Sequence, residues 1–149
     1  MIDIIAGIDI GGTHIGCGII SVDKKIMLAM EVEHLDPTQS PDDIIKQIYN
    51  CLLRVQSTLN LNTRIIAAGI GCPGQSKNGV LIAASNFPTL KNTPLASMLS
   101  EKLGNIPVML MNDADAAIAS EVWSQPELYK KHENVAMITL GKICLYIIT

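Results

Sequence analysis

Two carboxylates stand where chemistry on a bound ligand can be organised: Asp9, just ahead of Gly11-Gly12-Thr13, and Asp113, just behind a short apolar run. Adjacent glycines let a backbone approach a ligand closely, so their N–H groups can point at phosphate oxygens while Thr13 offers a hydroxyl. Asp9 could then face a Mg²⁺ ion held by that phosphate. Taken alone, the Gly-Gly pair is more simply an ordinary hairpin turn. It is not a Rossmann fingerprint, because Gly16 and Gly18 fall inside a following strand, and no G-K-[ST] of a Walker loop occurs.

Asn112-Asp113-Ala114-Asp115-Ala116 lies where a strand should end and a helix begin, the place where open α/β sheets put ligands. A carboxylate there can take a proton from an attacking hydroxyl, worth roughly 10² to 10⁴ in rate, and the neighbouring amide can bond a second hydroxyl. Equally, Asn112 or Asp113 simply caps the helix, and Asp115 reads as first-turn acidity. Gly71-Cys72-Pro73-Gly74 reads as a rigid turn, and Asn86, before Pro88, as a loop residue able to bond sugar hydroxyls or merely exposed. His14 belongs on the rim of the first turn. His34 and His132 have no partners at ligand spacing, and Cys17, Cys51, Cys72 and Cys144 form no C-x-x-C pair, so neither a zinc cluster nor a disulfide framework is indicated. Glu121 and Trp123 read as a solvated acid and a partly buried indole.

The elements that must position these residues follow from periodicity and punctuation. Ile4 to Ile10, Ile15 to Val22 and Ile26 to Val32 are apolar, strand-like runs, a three-strand meander. Ser40-Pro41-Asp42-Asp43 supplies an N-cap, a proline at the first helical position and an acid at the third, and Ile44, Ile48, Leu52, Val55 and Leu59 recur behind it. A helix over about 41 to 59 follows. Arg64 to Cys72 is a strand, Val80 to Ala84 a short one and Asn86 to Asn92 a loop. Thr93-Pro94 is expected to cap a helix with Leu95, Leu99 and Leu103 inward, ended by Gly104. Val108 to Met111 is a short buried strand feeding an Ala114 to Trp123 helix. Val135 to Leu140 and Ile143 to Ile148 are strands separated by Gly141-Lys142, a tight-hairpin signature. The whole is α/β, a mixed sheet with helices on its faces.

Composition agrees. With 48% hydrophobic but only 3% aromatic residues in 149, the core must be aliphatic, as where a buried sheet meets helices. A net charge of -3 without a basic run argues against a nucleic-acid surface. No signal-like N-terminus and no stretch near the roughly 18 apolar residues of a membrane span occurs, so a cytoplasmic chain with a small-molecule partner and no membrane partner is expected. A homo-oligomer is compatible with this reading.

In order, G-I-D-I-G-G-T from Gly7, G-C-P-G from Gly71, Asn86-Phe87-Pro88 followed by Pro94-Leu95, and P-V-M-L-M-N-D-A-D-A-A-I-A-S-E from Pro107 resemble the ROK family of sugar kinases and repressors. Glucokinase-like and N-acetylmannosamine-kinase-like enzymes belong to it. The resemblance runs from about residue 4 to Gly141. It implies an actin-like ATPase (ribonuclease H-like) fold that uses ATP and Mg²⁺. It places Asp9, Gly11, Gly12 and Thr13 in a first phosphate loop, with Asp9 toward the metal. It also implies that Asn86, Asn112 and Asp113 contact a hexose, glucose or an N-acetylhexosamine, with Asp113 as general base. Two departures stand out: Leu90 replaces a Trp of many members, and after Gly141 the sequence runs Lys142 to Thr149 in place of the family's second Gly-rich loop and C-terminal lobe. Residues 1–149 are therefore expected to be a single N-terminal kinase lobe without its C-terminal partner, weakly active or inactive alone. A non-catalytic sugar- or nucleotide-binding module is the alternative. A ROK-type repressor is disfavoured, since no helix-turn-helix precedes Met1-Ile2-Asp3.

Overall fold

In the computed structural model, which describes residues 1–130, 135–139 and 144–148, strands β1 (Ile2–Ile10), β2 (His14–Ser21) and β3 (Met27–His34) come first. Helix α1 (Pro41–Ser57), β4 (Thr63–Cys72), the short β5 (Gln75–Lys77) and β6 (Val80–Ala83), and α2 (Leu95–Lys102) follow. The chain continues with β7 (Val108–Asn112), α3 (Asp113–Ser124), α4 (Pro126–Tyr129), β8 (Val135–Thr139) and β9 (Cys144–Ile148). The main sheet runs β3-β2-β1-β4-β7. Its first three strands are antiparallel neighbours, whereas β1, β4 and β7 are parallel. This is the expected mixed sheet. Parallel pairing brings the C-terminal ends of β1, β4 and β7 to one edge: Asp9 pairs with Gly71, and Cys72 with Asn112.

Alternation decides which face is buried. Ile4, Ala6, Ile8 and Ile10 of β1 and Ile15, Cys17 and Ile19 of β2 lie on one face with at most 4% exposure, and α1 covers them with Ile44, Ile45, Ile48, Cys51, Leu52 and Val55. Burying an Ile or Leu side chain stabilises by roughly 1.5–3 kcal/mol, so this interface is the principal source of the fold's stability. The helix starts as its sequence predicts: Ser40 Oγ accepts from Asp43 N (3.2 Å) and donates to Asp43 Oδ2 (2.6 Å).

Several expectations change. Thr93 does not cap α2. Its backbone pairs with Leu81 in both directions (2.8 and 3.0 Å), and the cap position falls to Pro94 without a side-chain bond. Gly104 does end α2, at φ +82°, with Gly104 N bonding Glu101 O and Asn105 N bonding Ser100 O, the paired bonds of a Schellman ending. Strand β7 is an edge strand and not a buried one, with Met109 62% exposed. Trp123 is also exposed, at 53%, with Lys25 Nζ 5.8 Å from its ring. The β5–β6 hairpin was not foreseen, although Asn78-Gly79, both at positive φ (51° and 79°), is the two-residue turn that hairpins favour. Strands β8 and β9 pair antiparallel as a separate two-stranded sheet and do not extend the main one; Gly141-Lys142 and His132 fall outside the described residues.

Candidate functional site

The sheet edge where β1, β4 and β7 end carries most of the residues singled out by the sequence. Asp9, one residue before the end of β1, is flanked in register by Gly16 of β2 and Gly71 of β4. Gly71 also seats α3: a Cβ there would stand 3.5 Å from Ala116 Cβ and 3.7 Å from Asp113 Cα. These are ordinary van der Waals distances, so the N-terminus of α3 rests over Gly71 beside Asp9 with room for a methyl group and nothing larger. Burial first, and then the negative charge of Asp113, raises the Asp9 carboxyl above its ordinary range. Burial and the same two carboxylates push the Cys72 thiol up to about 12, so it is an inert, neutral packing group at neutral pH.

The glycine loop closes differently from a tight hairpin. Neither Gly11 nor Gly12 adopts positive φ, so no primed turn is used. The glycines serve close approach instead, since a Cβ on Gly12 would lie 3.2 Å from Asn86 Nδ2 and one on Gly11 3.3 Å from His14 O. Gly11 N donates to His14 O (2.8 Å), which removes it from the donors expected to face a phosphate. Among the described residues, Gly12 N–H and Thr13 N–H have no acceptor. Thr13 Oγ1 lies 2.7 Å from His14 Nδ1, placing His14 on the loop's rim as expected. The half-buried Asn86 thus packs directly on the glycine loop, a juxtaposition that sequence spacing of 74 residues does not reveal.

Asn112 realises the capping alternative. Its Oδ1 accepts from Ala114 N (2.9 Å) and its Nδ2 donates to Gly74 O (2.9 Å), so the side chain ties the helix start to the turn after β4. Asp113 Oδ1 accepts from the same Ala114 N (2.9 Å), leaving Oδ2 without a donor among the described residues. Gly74 is irreplaceable for this arrangement: φ is +110°, and a Cβ would stand 2.2 Å from Ala83 O. The sequence signalled that turn as G-C-P-G but gave no sign of its bond to Asn112.

This edge fits a magnesium–nucleotide pair on its own chemistry. Two free N–H groups and a hydroxyl suit phosphate oxygens, and two mutually repelling carboxylates suit a divalent cation. A cleft of about 410 Å³ lined by Gly74, Gln75, Lys77, Ile82, Asn112 and Asp115 opens beside it. No helix among the described residues is long and apolar enough to cross a membrane.

Residues 5–143 match the model of the ROK family. The chain is 31% identical over 137 residues to a glucokinase of Thermotoga maritima, covering 91% of this chain and 41% of that protein. It is 29% identical over 122 residues to an N-acetylmannosamine kinase of Salmonella newport, covering 80% and 39%. A ROK family glucokinase from Streptomyces griseus, solved in complex with glucose and AMPPNP, superimposes with a TM-score of 0.69 at 25% identity, covering 97% of this chain and 44% of that one. The chain therefore spans about 40% of the length of the curated relatives it matches. The fold is the actin-like one of these sugar kinases. The chain belongs to the ROK family.

Proposed function

We propose that this chain is the N-terminal lobe of an ATP:hexose phosphotransferase, contributing the first phosphate loop and the general base. The observation that carries the reading is the meeting at one sheet edge of Asp9 and the Gly11–Thr13 loop that follows it, Asn86 and Asp113, residues from three separate segments. Similarity to a glucokinase and an N-acetylmannosamine kinase supports a hexose or N-acetylhexosamine as acceptor.

In this reading Asp113, fixed at the helix start by its bond to Ala114 N, takes the proton from the attacking hexose hydroxyl through its free Oδ2. Asn86 orients the sugar, and Asn112 reaches it with its second Nδ2 hydrogen, the first being held by Gly74 O. Gly12 and Thr13 hold phosphate oxygens. Bound Mg²⁺–ATP supplies the phosphoryl group and the positive charge that offsets Asp9. Phosphoryl transfer asks the protein mainly for positioning and charge stabilisation.

Thr13 and Asp113 are exposed in this chain, so water has access to the reacting groups, and low turnover by the chain alone is part of the proposal. Coupled ADP-release assays with glucose and N-acetylmannosamine test it: turnover comparable to that of full-length ROK kinases would refute the low-activity statement. Joined to the C-terminal part of a ROK glucokinase, the chain should phosphorylate hexose, and Asp113→Ala should abolish turnover while sparing sugar binding. Unchanged turnover in that variant would remove Asp113 as the base.

A further inference from the structure

We infer that His14 is a positioning residue for phosphate: its Nδ1 aims the Thr13 hydroxyl, and the form of the ring that carries a proton on Nδ1 turns that hydroxyl's own proton toward a phosphate oxygen. The inference rests on the Gly11–Thr13 segment being the phosphate loop proposed above. Strand alternation puts His14 on the face that Asp9 occupies. Ile15, Cys17 and Ile19 of β2 and Ile8 and Ile10 of β1 are buried on the α1 side, so His14 and Asp9 project from the other side of the sheet. His34 joins them from β3, level with His14 in the register, and the two imidazoles meet edge to face with ring centroids 6.0 Å apart. Backbone bonds hold the loop beneath this row. Gly11 N donates to His14 O and Leu35 N to Thr13 O, both at 2.8 Å, and Leu35 is fully buried. Thr13 and His14 are thus exposed side chains on an anchored backbone, with Thr13 Oγ1 2.7 Å from His14 Nδ1.

That contact has two proton arrangements, and one of them serves a phosphate. With the imidazole proton on Nε2, Nδ1 accepts from the hydroxyl, and Thr13 Oγ1 shows only lone pairs to an incoming anion. With a proton on Nδ1, the imidazole donates to Oγ1 and the hydroxyl proton is free to point outward. Chained hydrogen bonds polarise one another, so the second arrangement also strengthens the bond from Thr13 to a phosphate oxygen. Gly12 N–H and Thr13 N–H, without acceptors among the described residues, stand beside it as further donors. Bound phosphate therefore selects the Nδ1–H form of His14. The proton leaving Nε2 and the one arriving at Nδ1 exchange through solvent, so the ring keeps its charge and no bond to carbon changes. The His34 ring, at 84° to that of His14, flanks it on the β3 side and favours one ring orientation.

Proton–nitrogen NMR spectra of the chain, isotope-labelled at its histidines, read the proton position on each ring nitrogen and test the assignment. In the free chain, Thr13→Val should move the Nδ1 signal of His14 and leave that of His34 in place. Saturation with Mg²⁺–AMPPNP, a slowly hydrolysed ATP analogue, should raise the share of His14 with its proton on Nδ1. In calorimetric titration Thr13→Val should weaken the analogue at least about tenfold, as expected for one hydrogen bond to a charged group. His14→Ala should weaken it about threefold, through lost aim and polarisation, and should cost nothing further in the Thr13→Val background. His14→Asn, whose amide nitrogen can stand where Nδ1 does, should restore the parent's affinity. An unchanged His14 tautomer in the saturated chain, or an affinity of His14→Ala equal to the parent's, would overturn the positioning role and leave the phosphate loop standing. Failure of the parent to bind the analogue at all would instead remove the loop reading itself, and the inference with it.

Discussion

Replacing Gly74 by alanine should destabilise the chain far more than any other single methyl added near the site. At φ +110° an L side chain is strained, which costs of order 1–3 kcal/mol. The added Cβ would also sit 2.2 Å from Ala83 O and 2.8 Å from Ala84 Cβ, both on the chain segment ending the β5–β6 hairpin, so that segment must move. Relief of the clash also turns the Gly74 peptide and takes Gly74 O from Asn112 Nδ2, and losing that part-buried bond costs about 1–3 kcal/mol. The sum is about 2–6 kcal/mol. With an unfolding entropy of about 2.1 cal/mol/K per residue over 149 residues, each kcal/mol lowers Tm by about 3 °C, so the expected drop is about 6–18 °C. Gly69→Ala is the internal control: nothing lies within 4 Å of its added Cβ, φ is not positive, and the change should be neutral or stabilising by about 0.5–1 kcal/mol. Scanning calorimetry of both variants measures this. A Gly74→Ala shift below about 3 °C, or equal shifts in the two variants, would refute the close-approach reasoning.

Asp9 makes a pH prediction. Its carboxyl is raised above the ordinary 3.8, so the folded chain holds that proton more tightly than the unfolded one. The associated stability is complete below pH 3.8 and is lost as pH rises through the raised value. Asp9→Asn should therefore be more stable than the parent at neutral pH, with the difference vanishing in acid, and Mg²⁺ should raise the parent's Tm more than the variant's. Leu52→Ala, at a fully buried position on α1, should cost about 2–5 kcal/mol in urea unfolding. Asn112→Ala should cost about 1 kcal/mol for the lost cap plus about 1–3 kcal/mol for the stranded Gly74 O, whereas Asn112→Asp should keep the cap and lose only the second part.

Much of the architecture was legible because local signals agreed with one another. The Ser40-Pro41-Asp42-Asp43 start and the aliphatic repeat behind it fix α1, and the two-residue period of β1 and β2 fixes their buried face. Where local signals competed with pairing, pairing won: Thr93 has the chemistry of a cap but its backbone is claimed by Leu81. Trp123 looked half-buried by residue type, yet the helix turns that side out, and a single apolar residue on an amphipathic helix carries no directional signal of its own.

The sequence by itself determined which residues are able to do chemistry: a carboxylate before two glycines, another at a strand-to-helix junction, and an asparagine on a polar loop. The tertiary structure alone decided that they meet. Parallel register sets Asp9 level with Gly71, the start of α3 packs over Gly71 and brings Asp113 beside Asp9, and Gly12 admits Asn86. It also decided which donors remain, turning Gly11 N–H inward and committing the Asn112 side chain to Ala114 N and Gly74 O. Spacing along a chain specifies local geometry within a turn or two, but proximity between strands depends on register and on which side chains are small enough to permit it.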